Sequence, residues 1–184
     1  MRRVVVYDAN VLFPAGLRDI LLQIALNDLV RAHFSPRILD EVLRNLSTRY
    51  PDVSRDTWER LERDMITVRP GICMECDESL AAEFKLPDPA DQHVLALAIQ
   101  TRGQTIVTEN TSDFPARVLE PLGIRSLTAD EFLFEVASIN RAQTVASLKA
   151  VSGRLVNPPR SEREILSRAG LEMTLQELAD DLPS

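Results

Sequence analysis

The run Arg3-Val-Val-Val-Tyr7 leads straight into Asp8. A short β-branched segment of this kind reads as a buried first strand. A carboxylate at the end of such a strand is costly to desolvate unless a cation or hydrogen-bond donors meet it. In parallel α/β sheets, the carboxyl ends of the strands are where ligands collect. One segment therefore predicts both a fold class and the place to look for a site. The competing explanation for Asp8 is a solvated or helix-capping aspartate.

The rest of the chain agrees with an α/β fold. Leu17, Ile20, Leu21, Ile24 and Leu29 recur at helical spacing over 15–29, and residues 31–34 read as a second strand. Ser35-Pro36 supplies an N-cap and a first-turn proline for a helix reaching Arg49, and another helix spans Arg55 to Met65. Residues 66–86 carry little pattern. Asp88-Pro89 opens a helix with Val94, Leu95, Ala98 and Ile99 on one face and Gly103 as its stop; strands follow at 105–108 and 124–127. Strands alternating with helices predict a central parallel sheet flanked by helices. The α/β domain is expected over 1–127. Residues 128–184 read as a helical C-terminal extension, with capping-box sequences at Thr128–Glu131, Ser161–Glu164 and Thr174–Glu177 and a break at Asn157-Pro158-Pro159.

Composition narrows the function classes. No apolar run approaches the roughly 20 residues of a membrane span, and the N-terminus lacks the layout of a signal peptide, so a cytoplasmic protein is expected. The net charge of −7 weighs mildly against nucleic acid. Its distribution softens that objection: residues 1–50 carry seven Arg against five carboxylates, and only two of the chain's 21 cationic side chains are Lys. Arginine suits bidentate phosphate contacts. Cys73 and Cys76 are the only cysteines, and neither His33 nor His93 lies near them in sequence to complete a zinc site. They read as incidental thiols.

Four acids carry the chemistry. Asp8 ends the first strand. Asp113 follows a later strand in Thr108-Glu-Asn110-Thr-Ser-Asp113, with Asn110 as a second polar candidate and ordinary loop chemistry as the rival explanation. Asp88 and Asp91 begin a helix, where capping accounts for Asp88 well and for Asp91 less completely. Glu41 lies one and a half turns into its helix, with Asp40 about 100° away around it. Taken singly, Glu41 would be a solvated helix carboxylate. Carboxylates without a Ser-His or Cys-His partner set favour Mg²⁺ or Mn²⁺ over zinc. Divalent ions held this way can activate water and stabilise the departing oxygen in phosphodiester cleavage.

The ordered segments Val-Val-Val-Tyr-Asp8-Ala-Asn10, Ser35 with Glu41, Pro87-Asp88-Pro-Ala-Asp91-Gln-His-Val-Leu-Ala and Val-Thr108-Glu-Asn110-Thr-Ser-Asp113-Phe-Pro resemble the PIN domain. The likeness is greatest to VapC-like bacterial toxins, in a longer subgroup with a helical extension. It covers residues 3 to about 127 and reaches less specifically into the tail. The resemblance implies a Mg²⁺-dependent endoribonuclease of three-layer PIN fold. Asp8 and Asp91 would be the principal metal ligands, Glu41 the second-helix carboxylate, Asp113 a fourth acid and further ligand, and Asp88 an additional acid near the metal. Asn10 and Ser35 would support the cluster by hydrogen bonding. Many PIN domains carry an acid where Asn110 stands, so Asn110 and Asp113 share that place and a second metal is in question. Arg18 and Arg37 are assigned to substrate phosphates. A toxin would bring a cognate antitoxin, and PIN-like pairing a homodimer. The same chemistry would serve a housekeeping RNA-processing nuclease, and an inactive PIN-like binding module is a third reading. A haloacid-dehalogenase-like phosphohydrolase fits less well, because Asn10 stands where its second aspartate belongs and Lys85 lies only three residues before Asp88.

Overall fold

In a computed structural model of the chain, the structure describes residues 2–155 and 158–183. The expected break at Asn157 lies outside them. Four parallel strands, β1 (Val4–Tyr7), β2 (Arg31–His33), β3 (Thr105–Val107) and β4 (Arg125–Leu127), form one sheet in the order β2-β1-β3-β4. Helices α1 (Ala9–Leu12), α2 (Ala15–Leu26), α3 (Pro36–Arg49), α4 (Arg55–Thr67) and α5 (Gln92–Thr101) precede or connect the first three strands. Helix α6 (Ala116–Leu119) lies between β3 and β4. Beyond β4 come α7 (Ala129–Ile139), α8 (Arg141–Ser152), α9 (Glu162–Arg168) and α10 (Glu172–Glu177). This is the expected α/β sheet flanked by helices, with helices beyond it.

The strand order reverses direction at β1. The chain steps to β2 on one side and returns to β3 on the other, so a crevice opens between the carboxyl ends of β1 and β3. Val5, Val6, Tyr7, Ile106 and Val107 are fully buried, as continuous apolar strands covered on both faces should be. Tyr7 packs edge-on against Phe132 at 6.1 Å, and its hydroxyl donates to Leu21 O at 3.1 Å. Through Phe132, Leu133, Leu148, Leu166 and Leu182, the helices after residue 127 share one continuous core with the sheet. Burying each such side chain stabilises by about 1.5–3 kcal/mol.

Several local expectations are corrected. Helix α2 ends at Leu26 rather than Leu29, because Asp28 takes a left-handed backbone (φ 62°) and pairs with Arg2 and Arg69. The helix at Asp88-Pro89 begins as a 3-10 turn, Pro89–Asp91, before α5 proper. Arg102, not Gly103, takes the left-handed stop (φ 53°), and Gly103 N donates to Ala98 O at 2.7 Å. The capping boxes at Thr128 and Ser161 form. That at Thr174 does not: Thr174 lies inside α10, where its hydroxyl and backbone N–H donate to Asp130 at 2.8 and 2.9 Å. A tertiary carboxylate has taken over the capping task.

Candidate active site

Asp8 leaves β1 at the crevice and is only 6% exposed. One oxygen accepts from Ala9 N at 2.6 Å, which starts α1; the other accepts from Thr108 Oγ1 at 2.7 Å and Asn10 Nδ2 at 2.8 Å. Burial pushes its pKa up, the three donors pull it back, and Asp113 nearby pushes it up again; the net direction is upward. Thr108, at the end of β3, also accepts from Asn10 Nδ2 at 2.9 Å and from Asn110 N at 3.1 Å. Asn10 Oδ1 in turn accepts from Glu109 N at 3.0 Å. The ends of β1 and β3 are thus stitched together around one carboxylate. Asn10 has the supporting place that the sequence suggested. Thr108 was not singled out from sequence, although a hydroxyl closing an apolar strand beside Asp8 was a readable signal.

Asp91 occupies the N-cap position of α5, yet its side chain makes no capping bond. Asp88 does that work one turn earlier, accepting from Ala90 N at 2.8 Å. Burial first, then Asp8, Asp88, Asp113 and Glu41, push Asp91 up to about 6. A half-buried carboxylate that no donor satisfies and four other acids repel is poorly explained by helix capping. Asp113 lies half-buried in the 3-10 turn Thr111–Asp113, within electrostatic reach of Asp8 and Asp91. Asn110 is exposed, and its backbone N–H bonds Thr108.

Glu41 projects from α3 with its side chain 25% exposed, 3.2 Å from His93 Nε2 and 3.6 Å from Arg37 Nε. Its pKa is raised by burial and Asp8, against Arg37 and Arg44. Asp40 is exposed, as expected from its angle around the helix. His93, on α5, is 2% exposed, and burial together with Arg37 lowers it to about 4. The ring is therefore neutral at pH 7, with Nε2 lying beside the Glu41 carboxylate. Its Nδ1 has no partner among the described residues. Sequence gave no pointer to His93, because the pairing depends on how α3 and α5 meet.

Two expected supporting residues act elsewhere. Ser35 accepts from Ile38 N at 3.2 Å and caps α3, so it bonds that helix rather than the acids. Arg18 is 6% exposed, and its Nη1 donates to Leu12 O at 2.8 Å and Phe13 O at 3.1 Å. It fixes the end of α1 and cannot reach a phosphate, which corrects its assignment to substrate. Arg37 remains accessible at 46% while bonding Glu78 at 2.7 Å. Burial pushes both thiols up, Cys76 to about 11, which disfavours their thiolate forms.

Among the described residues, no three His, Cys, Asp or Glu side chains are gathered tightly enough to hold a metal ion by themselves. The donor set still suits a hard cation. It is oxygen-only, anionic and self-repelling, and Mg²⁺ typically binds through one or two carboxylates while keeping several waters.

Comparison with known proteins agrees with this arrangement. The family model described as PIN domain matches residues 4–112. A curated relative from Mycobacterium tuberculosis, named "Putative ribonuclease VapC50", is 32% identical over 80 residues. That match covers 44% of this chain and 47% of the relative, so the chain spans about half the length of the relative it matches. No solved structure gives a significant match. The matched segment runs from the start of β1 to the turn holding Asp113 and so takes in Asp8, Glu41 and Asp91; the chain belongs to the PIN domain family.

Proposed function

We propose that this protein is a Mg²⁺-dependent endoribonuclease hydrolysing RNA phosphodiester bonds, with Mn²⁺ as a possible substitute ion. The observation that carries the reading is Asp91: a half-buried carboxylate, free of capping bonds, raised to about 6 by burial and by the nearby charges of Asp8, Asp88, Asp113 and Glu41. Family membership and the ribonuclease-named relative support the same reading. Asp8, Asp91 and Asp113 would hold the ion. When bound, the ion would activate water and stabilise charge on the departing oxygen.

The chain's own residues prepare that chemistry. Thr108, Asn10 and Ala9 N fix the Asp8 carboxylate, so its position does not depend on the substrate. Glu41, 3.2 Å from His93 Nε2, would orient the attacking water. Asp88 adds negative potential at the rim, and Arg37 offers a cation to the RNA backbone. The nuclease unit would comprise residues 1–127, with 128–184 as a helical extension packed on it. No helix among the described residues is long and apolar enough to cross a membrane, which fits a cytoplasmic enzyme.

The likeness to a VapC-named relative further suggests the toxin of a toxin–antitoxin pair, acting as a homodimer that a cognate antitoxin restrains. RNA cleavage should require Mg²⁺, stop with EDTA, and be lost in Asp8→Asn and Asp91→Asn. Undiminished cleavage by folded Asp91→Asn would sink the assignment. Growth arrest on expression, relieved by a neighbouring gene product, separates toxin from housekeeping nuclease.

A further inference from the structure

The acid crevice continues into a groove of about 490 Å³ lined by Asn10, Phe13, Asn45, Thr48 and Arg49. Two walls connect it to the cluster. On one side Asn10 lines the groove while its Nδ2 donates to Asp8 at 2.8 Å. On the other, Glu41, Asn45 and Thr48 follow at spacings of four and three along α3 and so share one helix face. From Glu41 to Thr48 the helix rises about 10 Å, or about three stacked nucleotides.

The lining has a mixed chemistry suited to a nucleobase. Phe13 is half-buried, with its back against the core. Its backbone is tied on two sides: its N–H donates to Ala9 O at 2.9 Å, and its carbonyl accepts from Arg18 Nη1 at 3.1 Å. It therefore presents a fixed aromatic surface. Asn45 and Thr48 are both exposed: Asn45 offers an amide able to donate and accept, and Thr48, whose hydroxyl donates to Arg44 O at 2.9 Å, offers an acceptor oxygen. Arg49 offers a guanidinium and stacks 5.6 Å above Tyr50, which is 48% exposed. Two aromatics flanking an arginine, beside polar groups, is the composition with which proteins hold unpaired bases.

We propose that this groove is a base-binding subsite that seats an unpaired nucleobase of single-stranded RNA a few nucleotides from the cleaved bond. The base stacks on Phe13 and is read by Asn45 and Thr48; Arg49 meets its flanking phosphate, and Tyr50 takes the next base. Arg18 then has a place in recognition after all, as a positioning residue that holds Phe13. The inference rests on the endoribonuclease reading above and adds where sequence preference resides.

The test uses the full chain and short single-stranded RNAs, intact or with one abasic nucleotide, with binding followed in an Asp8→Asn background and cleavage sites mapped with Mg²⁺. Phe13→Ala should weaken binding of intact RNA by roughly 5- to 150-fold, the range of a lost base–aromatic stack. The same substitution should have no effect on an RNA abasic at the seated position. Asn45→Ala, at an exposed site that leaves the fold untouched, should redistribute cleavage among sequences and keeps the test open should Phe13→Ala fold poorly. Equal binding and an identical cleavage map in Phe13→Ala and Asn45→Ala, with wild-type cleavage intact, would overturn the subsite, spare the nuclease reading and leave the groove to a protein segment. A wild-type protein that neither binds nor cuts RNA would overturn both.

Discussion

Removing a charge from the acid cluster should make the metal-free protein more stable. Asp91 is the side chain to change, because its carboxylate makes no capping bond and receives no hydrogen bond among the described residues that asparagine would forfeit. Its pKa stands near 6 against an ordinary value of 3.8. A carboxylate whose folded pKa is raised binds its proton more tightly in the native state. It therefore lowers stability as pH rises from about 4 to about 6, and the full cost persists above that. Two pH units correspond to about 3 kcal/mol. Screening of a half-buried group reduces this to about 1–2 kcal/mol. Asp91→Asn should accordingly raise the melting temperature in EDTA at pH 7 by roughly 2–8 °C. The gap over wild type should shrink as pH falls from 7 to 5, because wild-type Asp91 is then protonated. Saturating Mg²⁺ should reverse the order by stabilising only the protein that binds it. The control is Asp8→Asn, where three donors require an acceptor and no comparable gain is expected. An Asp91→Asn protein that melts below wild type in EDTA at pH 7, or a gap indifferent to pH, would refute the burial and repulsion that raise Asp91, on which the site assignment stands.

Three further outcomes follow from the same geometry. Mg²⁺ affinity should fall as pH drops from 7 through about 6, since Asp91 must lose its proton to serve a cation, and titrations at pH 5.5 and 7.5 would show it. Thr108→Val keeps the volume of a fully buried residue but strands Asn110 N and removes a donor from Asp8. It should cost about 2–4 kcal/mol in urea unfolding, and a change under 0.5 kcal/mol would show the hydroxyl to be incidental. His93→Gln, which keeps a polar group beside Glu41, should retain cleavage better than His93→Leu, whose kcat/KM should fall by about 10–100-fold with the fold intact. Equal rates in the two variants would remove His93 from the site.

What the sequence makes readable follows the range over which each signal acts. Asp8 stands out because an apolar strand stops at a charge, a pattern contained in five residues. The starts of α3 and α7 are equally local, through Ser35-Pro36 and the Thr128–Glu131 box. The stretch 66–86 is opaque because what orders it is distant: Phe34 bridges Cys73, and a 3-10 turn at 78–81 packs on α5. Thr174 was misread for the same reason, since Asp130 lies 44 residues away. Arg18 looked like a surface cation, and only the folded chain shows its guanidinium under the end of α1. His93 sat unremarked on a helix because its neighbour, Glu41, lies far earlier in the chain, on another helix of the same crossover. The difference between Asp91 and its neighbour Asp88 needed the capping bond itself to be seen.

The reversal of strand order at β1 has a consequence for how the acid cluster is assembled. Asp8, Glu41, Asp91 and Asp113 belong to four separate stretches of chain, and Asp8 meets its Thr108 donor across a sequence separation of 100 residues. Contacts of that range close late, because the intervening loop must surrender its entropy first. A chain still leaving the ribosome, or one that has formed β1, β2 and α3 alone, carries only isolated acids. On the proposed nuclease reading, competence should then arrive only with the later crossovers, leaving the nascent protein inert toward the messenger that encodes it.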